Sequence, residues 1–443
     1  MVQKRYVSAL VLTTLLMILA TSAGAQTQMN LTVEEVRSLA LQHNRSYLQA
    51  EEEVAKAKGD IGRAQSGALP QITLNSGYTR NFKTASQFVT IDGETSEFKF
   101  GFENTFGWSL QAYQPVWTGG RVWSAYAIAK QYRKFSEAGS DQVAANVIYQ
   151  SELLFHEAIL AKSRLEVLQK SLETFEHNVK MVEKHYSQGM VSKFELLRAR
   201  VEKSNLEPQI LAAESEVRLS QKRLKSFLGL DLDQPVSLTE GDLDTSLARV
   251  PSLSELTQKA IDQRPEMAQA DLMVDMRRRA IKVASANYWP SVGLVSQYDW
   301  NSVSDDFTVD GNISRSFTAG VNLTWNLFDG FLTRSEVGIA KADHRQANYA
   351  RLDALDAVKL EVEQAYDQLI QAGKSLDARQ ETIEQAEEGL RIANLRYETG
   401  EGTLLEVLSA QTALTQARTA LAEANFGFRA ARAGLRKATA MEI

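Results

Sequence analysis

The feature that most constrains this chain is an internal repeat. Residues 44–51 match residues 264–271 at an offset of 220, whereas residues 117–119 match residues 328–330 at an offset of 211. The second offset then holds without a gap over the long helical run that follows. The two offsets differ by nine residues, and length changes of this kind belong in surface loops. The sequence therefore predicts two homologous halves in tandem, with the variable loop in the part of each half that is not helical.

Residues 1–25 have the three parts of a secretory signal peptide. Lys4 and Arg5 form a basic start, residues 7–20 are an apolar stretch, and Ala25 ends a small-x-small cleavage site. The alternative is an uncleaved anchor, against which the well-formed cleavage site argues. After this site no stretch approaches 18 consecutive apolar residues, so no transmembrane helix is expected. The prediction is an exported protein.

Each half has the same internal order of a helical segment, a β-hairpin and a long helical hairpin. The first repeat is predicted over 26–228, with its β-hairpin at about 70–118 and its helical hairpin at about 121–228. A connector follows over 229–253. The second repeat is predicted over 254–443, with its β-hairpin at about 290–330 and its helical hairpin at about 333–438. The run 121–186 would extend on the order of 100 Å as one helix. The helical segments that open the two halves are predicted at 32–66 and 254–286, and the helix that returns from the first hairpin tip is predicted at about 191–228. Because the second repeat ends the chain, the helix 32–66 must continue its returning helix, and the halves complete each other.

A heptad seam indicates that the long helices pack along partner helices. In the first half the seam is Leu165, Leu168, Leu172, Phe175, Val179, Val182 and Tyr186. In the second half it is Leu376, Arg379, Ile383, Ala386, Leu390, Ala393 and Tyr397, which is richer in alanine. Small side chains suit close approach between many parallel neighbours.

Four segments have the length and the alternation of tilted transmembrane strands. They are residues 72–80, 105–116, 292–300 and 316–328. Apolar and polar residues alternate along them, so one face suits lipid and the other suits water. All six tryptophans lie in or beside these segments. Five are candidates for the aromatic belt at the membrane interface, and these are Trp108, Trp117, Trp289, Trp300 and Trp325. The alternative is two amphipathic hairpins packed in a soluble sandwich.

Four strands cannot close a useful pore, since about eight are needed merely to surround side chains. Strand edges must also be paired in lipid. The chain is therefore expected to oligomerise, as a dimer or a trimer. The predicted fold class is mixed α and transmembrane β: a long coiled-coil α-helical barrel plus a shared β-barrel with four strands per chain, built on an internal two-fold repeat.

The sequence carries no recognisable catalytic chemistry. It has no cysteine, which excludes disulfides, thiolate metal sites and lipid attachment through an N-terminal cysteine. The formal net charge of −6 argues against nucleic acid as a partner. The five histidines show no paired ligand spacing, and no phosphate-binding or hydrolase motif is present. We expect no enzyme activity, no cofactor and no metal site, so that transport through this chain would be passive.

Four motifs resemble those of the TolC-type outer-membrane efflux proteins, and the resemblance, present in both halves at the right separation, covers essentially the whole mature chain. Residues 114–120 and 327–330 resemble the strand-to-helix motif of that family, and residues 186–189 and 397–400 resemble its helical hairpin tips. The resemblance implies a homotrimer in the cell outer membrane, with twelve strands continuing into a periplasmic tunnel of twelve helices. It also implies the exit duct of a tripartite efflux or type I secretion system. The partners would be a periplasmic adaptor, an inner-membrane pump or transporter, and outer-membrane lipid.

The hairpin tips are the predicted contact with the adaptor, because they would project farthest from the membrane. Gly189 and Gly400 suit the left-handed residue that a tight turn after a helix requires. The candidate tip residues are Gln188, Gly189, Met190, Val191 and Ser192 in the first hairpin, and Thr399, Gly400, Glu401, Gly402 and Thr403 in the second.

The resemblance also assigns candidates for a gate at the periplasmic end. The tyrosine of the family gate falls on Tyr397, and the acidic position of the first hairpin falls on Glu195. The two constriction positions that are aspartates in the family fall on Glu406 and Ser409, and the arginine position falls on Gly402. Alternatively, both glutamates are solvated acids in a first helical turn, where the helix dipole favours negative charge.

Two functions from other classes remain as alternatives, a periplasmic coiled-coil adaptor and a structural envelope protein. An adaptor characteristically has one helical hairpin beside a compact β-domain. This chain has two equivalent hairpins and two amphipathic strand pairs. The duplication therefore favours the channel.

Overall fold

The computed structural model describes residues 29–91, 93–241, 250–309 and 312–441. The predicted signal peptide, residues 1–25, lies outside these ranges. The described chain forms two compact units, and each takes segments from both halves of the repeat. The tip unit consists of the described residues within 1–50, 140–265 and 355–443, and the sheet unit consists of those within 51–139 and 266–354.

The elements follow the predicted order in both halves. In chain order they are β1 (Met29–Leu31), α1 (Val33–His43), α2 (Arg45–Ser66), β2 (Gln71–Arg80), β3 (Ala85–Ile91), β4 (Glu94–Phe100), β5 (Asn104–Thr118), α3 (Arg121–Ser187), α4 (Lys193–Ser204), α5 (Glu207–Phe227), β6 (Val236–Leu238), α6 (Leu253–Gln263), α7 (Pro265–Ser285), a 3₁₀ turn (Ala286–Tyr288), β7 (Ser291–Ser304), β8 (Asn312–Thr324), α8 (Leu332–Glu398) and α9 (Leu404–Thr439). Within the described residues, no helix combines the length and the apolar character needed to cross a membrane.

The sheet unit contains a four-stranded antiparallel sheet in the order β2-β5-β7-β8. All four predicted strands are present. The predicted end of the fourth strand is wrong, because β8 stops at Thr324 rather than at residue 328. Thr324 lies opposite Ser291, the first residue of β7. The preceding residue, Pro290, has no N–H with which to extend the ladder.

A two-stranded hairpin, β3 and β4, fills the connection between β2 and β5 and was not predicted. The corresponding connection between β7 and β8 has no such hairpin in its described residues. The length difference between the two halves therefore falls in this loop, as the offsets require. Polar residues on both faces of β3 and β4 hide the two-residue period that marks an amphipathic strand.

The register of the sheet separates its two faces. The apolar face carries Ile72, Leu74, Phe106, Trp108, Leu110, Leu294, Tyr298, Trp300, Phe317, Val321 and Leu323. The polar face carries Thr73, Asn75, Gly77, Ser109, Gln111, Gln297, Asp299, Asn301, Ser316 and Thr318. Because side chains alternate along a strand, this pairing places apolar residues beside apolar residues, and polar beside polar, across all four strands.

Three helices predicted as continuous are each divided in two. The segment 32–66 breaks at Asn44, whose Oδ1 accepts hydrogen bonds from the N–H groups of Ser46 (2.9 Å) and Tyr47 (3.4 Å). The segment 254–286 breaks at the equivalent Arg264, because Pro265 begins α7. The segment 191–228 breaks before α5, which has a proline in its first turn. A proline is tolerated there, but not inside a helix.

A short parallel strand pair and an apolar cluster form the core of one part of the tip unit. β6, in the predicted connector, pairs with β1, with Val236 opposite Met29. Val236 and Leu31 belong to one apolar cluster with Val36, Phe155 and Leu224. Neither three-residue strand was predicted, because each is too short to show a period. Residues 242–249 of the connector lie outside the described residues.

The same unit contains a buried ion cluster that joins three helices. The Glu152 side chain on α3 is 3% exposed, and its Oε1 accepts hydrogen bonds from Arg37 Nε on α1 (2.6 Å) and Arg436 Nη1 on α9 (2.9 Å). The two arginines compensate the charge that burial would otherwise destabilise. Glu152 therefore ties the N-terminal and C-terminal helices to α3.

Candidate functional site: the two hairpin tips

The first tip, residues 188–192, is a tight turn of the Schellman type after α3. The N–H of Met190 donates to the carbonyl oxygen of His185 (2.9 Å), and the N–H of Gly189 donates to that of Tyr186 (2.9 Å). Gly189 has φ +71°, in the left-handed region where glycine is favoured. The glycine thus ends the long helix and reverses the chain, as its position predicts.

The second tip, residues 399–403, repeats this geometry after α8. The N–H of Glu401 donates to the carbonyl oxygen of Arg396 (2.9 Å), the N–H of Gly400 donates to that of Tyr397 (3.2 Å), and Gly400 has φ +80°. Each bonded position equals that of the first tip plus 211. The sequence repeat is therefore also a repeat of backbone geometry.

Helix caps place the two candidate glutamates. The N–H of Glu195 donates to Ser192 Oγ, and the N–H of Glu406 donates to Thr403 Oγ1, each at 3.3 Å. Both glutamates occupy the first turn of a helix, where a negative charge is stabilised. The local structure thus fits the alternative of solvated first-turn acids, and it leaves both carboxylates available at the tips.

An apolar cluster joins the two hairpins directly behind the tips. Its buried members are Phe175, Val179, Val182, Leu196, Ala199, Leu206, Ala393, Tyr397, Leu404, Val407 and Leu408. Phe175, Val179 and Val182 belong to the predicted seam of the first half, and Ala393 and Tyr397 to that of the second. The seams therefore meet each other near the tips.

Tyr397 is the most unusual member of this cluster. It is 7% exposed, and its hydroxyl group has no hydrogen-bond partner among the described residues. Burial, and next the nearby Glu195 carboxylate, raise the pKa of the Tyr397 phenol above its ordinary value. The ring lies 5.8 Å from the His185 ring, measured between centroids. Tyr397, which the resemblance assigns to the gate, is thus buried between the two hairpin tips of a single chain.

A cleft of about 590 Å³ lies between the two tips. Met190 (60% exposed) and Phe194 (70% exposed) line its first side, and Gly400 and Leu405 line its second side. The cleft is therefore lined in part by exposed apolar side chains.

Arg396 is a site residue that sequence reasoning missed. Its Nη1 lies 3.5 Å from Glu406 Oε2, and its Nη2 donates to the carbonyl oxygen of Glu401 (3.2 Å). The resemblance places the family arginine at Gly402 and therefore does not indicate Arg396. The sequence signal that could have identified Arg396 is its position directly before the gate candidate Tyr397. Ser409, the remaining candidate, is exposed three residues after Glu406.

The candidate interface tryptophans form two groups at opposite ends of the sheet. Trp108 lies opposite Trp300, with ring centroids 6.5 Å apart and nearly parallel planes. Trp117, Trp289 and Trp325 lie at the strand ends that lead into helices, and each is about half exposed or more. Trp108 and Trp117 are nine residues apart, which at about 3.3 Å per residue and a tilt of about 40° spans roughly 23 Å.

Among the described residues, no group of three histidine, cysteine, aspartate or glutamate side chains could hold a metal ion. The described residues also present a polar sheet face and two exposed hairpin tips. A strand pair and a helical hairpin, each present twice, define a channel protein whose four-stranded sheet lies in the outer membrane and whose long helices lie in the periplasm.

The chain belongs to the outer membrane efflux protein family, whose sequence model matches residues 36–230 and 256–440. Nodulation protein T of Rhizobium leguminosarum bv. trifolii is 23% identical over 388 residues, which cover 85% of this chain and 78% of that one. Outer membrane protein TolC of Vibrio cholerae is 22% identical over 361 residues, covering 81% and 78%. A membrane protein structure from Pseudomonas aeruginosa matches with a TM-score of 0.76 and 20% identity, covering 92% of this chain and 93% of that one.

Family membership confirms the predicted resemblance, fold class and location. The chain serves as an outer-membrane exit duct in efflux, and the family is one of channel-forming proteins rather than known enzymes. The alternatives of an adaptor and of a structural envelope protein are therefore excluded.

Proposed function

We propose that three copies of this chain form one duct, which carries solutes passively from a periplasmic adaptor and an inner-membrane pump to the cell exterior. The observation that carries the proposal is the pair of open sheet edges. β2 and β8 each pair on one side only, and all their residues are exposed. Edges in lipid require partners, so β8 of one copy must pair with β2 of the next. Twelve strands would leave a lumen, whereas eight would be filled by side chains.

The repeat supplies a template for the junction between copies. Within the chain, Leu110 of β5 lies opposite Tyr298 of β7. In the repeat, β8 is the equivalent of β5 (residue number plus 211), and β2 is the equivalent of β7 (residue number minus 220). Replacing each strand by its equivalent places Val321 opposite Tyr78 of the next copy. The same rule places Leu323 opposite Ser76. This register keeps the apolar face continuous around the barrel, whereas a shift of one residue would reverse it.

The aromatic groups support the same placement in lipid. Their separation of roughly 23 Å is close to the apolar band of about 25 Å that outer-membrane barrels present. We propose that Trp108 and Trp300 lie at the outer interface, and that Trp117, Trp289 and Trp325 lie at the periplasmic interface.

The tips are proposed to contact the adaptor and to form the gate. The exposed apolar lining of the cleft, with residues 188–192 and 399–403 around it, offers the adaptor a surface. Separation of the tips would expose Tyr397. Three copies of Glu406, followed by Ser409, would form the constriction, with Arg396 holding each Glu406 in place.

Recordings from lipid bilayers test the duct and its gate together. The mature chain is expected to form discrete channels, and a trivalent cation added on the tip side should block them. Glu406→Gln is expected to raise the concentration needed for half-block by about threefold or more, because it removes three negative charges from the constriction. Glu423→Gln, on the same helix and 17 residues away, is the charge-matched control. Absence of channels would refute the duct, and an unchanged block in Glu406→Gln would refute the ring.

A further inference from the structure

The polar face of the sheet carries a single charged side chain. Among all residues of β2, β5, β7 and β8, only Arg80, Asp299 and Arg315 are charged. Arg315 lies opposite Trp300 and Arg80 lies opposite Asn104, so both arginines belong to the other face. Asp299 is therefore the one charged residue of these four strands that lies on the polar face.

The neighbours of Asp299 on that face are all uncharged. Across the sheet its register positions are Ser109 on β5 and Ser316 on β8. Within the described residues, no lysine, arginine or histidine forms an ion pair with its carboxylate. The negative charge of Asp299 is therefore not neutralised within the sheet.

Hydrogen bonds hold the carboxylate in a fixed orientation. Gln297 Nε2 donates to both oxygens of Asp299, at 2.7 and 3.0 Å, and Ser316 Oγ donates to Oδ2 at 3.3 Å. Gln297 is itself held from β5, since Gln111 Nε2 donates to Gln297 Oε1 at 3.3 Å. Three strands thus fix the position of one carboxylate through hydrogen bonds from uncharged donors.

We propose that Asp299 determines ion preference in the strand-built section of the duct. Three copies place three carboxylates at one height, where they attract cationic solutes and repel anionic ones. This proposal rests on the proposed trimer, in which the polar face lines the lumen. The residue belongs to the sheet unit, and its effect is separate from that of the tips.

The dimensions of a twelve-stranded barrel make such a ring effective at moderate salt. Strands about 4.8 Å apart and tilted by about 40° give a circumference of roughly 75 Å and a backbone radius of roughly 12 Å. The screening length is about 10 Å at 0.1 M salt and about 3 Å at 1 M. The carboxylates therefore influence most of the lumen at the lower concentration and only its wall at the higher one.

Reversal potentials across a salt gradient measure this preference. In bilayers near 0.1 M KCl, Asp299→Asn is expected to lower the ratio of cation to anion permeability by about twofold or more, with little change near 1 M. Asp299→Glu should retain the ratio of the unmodified channel, and Asp299→Lys should favour anions. Asp306→Asn, in the loop after β7, removes the same charge from outside the sheet and is the matched control.

The possible results distinguish the role of Asp299 from the trimeric duct on which it rests. An Asp299→Asn channel that conducts but keeps the unmodified ratio at low salt would overturn the role of Asp299. A ratio that changes equally in Asp299→Asn and Asp306→Asn would also overturn it, because position on the polar face would then be irrelevant. Failure of the unmodified chain to form channels would instead refute the trimeric duct.

Discussion

Gly119→Ala is expected to lower the stability of the sheet unit severely. Gly119 has φ +62°, a left-handed conformation that costs an L-residue roughly 1–2 kcal/mol. A Cβ atom at this position would also lie 2.5 Å from the carbonyl oxygen of Ala286 and 3.1 Å from Trp289 Cβ. Both neighbours belong to the turn that precedes β7, and a backbone oxygen has little freedom to move. We expect a loss of about 3 kcal/mol or more in the free energy of unfolding.

The adjacent Gly120 is a matched control for this substitution. It is also left-handed, with φ +83°, but nothing lies within 4 Å of the Cβ that alanine would add. Gly120→Ala should therefore cost only the conformational part, about 1–2 kcal/mol. Thermal unfolding followed by circular dichroism measures both variants. Equal melting temperatures for the two would contradict the close contact at Gly119.

Glu152→Ala is expected to have the second large effect, in the tip unit. The substitution leaves Arg37 and Arg436 beside an emptied, buried position. Both arginines lose their hydrogen bonds to Glu152 in this variant. Breaking a buried ion pair by removing one partner typically costs about 3–5 kcal/mol. We expect a loss of that size in denaturant unfolding, with α1 and the end of α9 becoming susceptible to protease first.

An exposed ion pair provides the comparison. Glu423 lies 2.6 Å from Arg164, and both side chains are about half exposed. Glu423→Ala should cost no more than about 1 kcal/mol, since water and salt already screen this pair. If Glu152→Ala proved as mild as Glu423→Ala, the buried cluster would not be what holds the three helices together.

The repeat made most of the fold predictable from the sequence. Two copies of one pattern showed which features are essential, so all four strands of the sheet were located, although the end of the fourth was misplaced. Elements present in only one half, such as β3 and β4, could not be predicted by comparing the two halves. The helix break at Asn44 was hidden for a different reason. It depends on a tertiary contact, in which Asn44 Nδ2 donates to the carbonyl oxygen of Phe227 (3.0 Å). The break at Pro265 could have been read directly.

The candidate site was predictable only in its backbone. Glycine in a left-handed turn is a local requirement, so Gly189 and Gly400 identified both tips. Side-chain pairing across a turn depends on the fold, and for this reason the contact between Arg396 and Glu406 was missed. Asp299 was hidden as well, because its isolation on the polar face appears only when the register of four strands is known.

Disulfide cross-linking between copies tests the shared barrel most directly, because the chain has no cysteine of its own. β8 and β2 are separated by two strands within one sheet, and the residue of β8 that lies level with Ser76 is Arg315. Leu323 is eight residues farther along β8, so Leu323 and Ser76 of the same chain lie roughly 30 Å apart and cannot be joined. A chain carrying Leu323→Cys with Ser76→Cys, or Thr324→Cys with Asn75→Cys, samples both kinds of antiparallel pair at the junction. Oxidation should yield a covalent product of three copies in at least one of these chains, and none with Leu323→Cys and Gly77→Cys, whose side chains would lie on opposite faces. Monomers alone from both matched pairs, or products that stop at two copies, would contradict a barrel completed by three neighbouring chains.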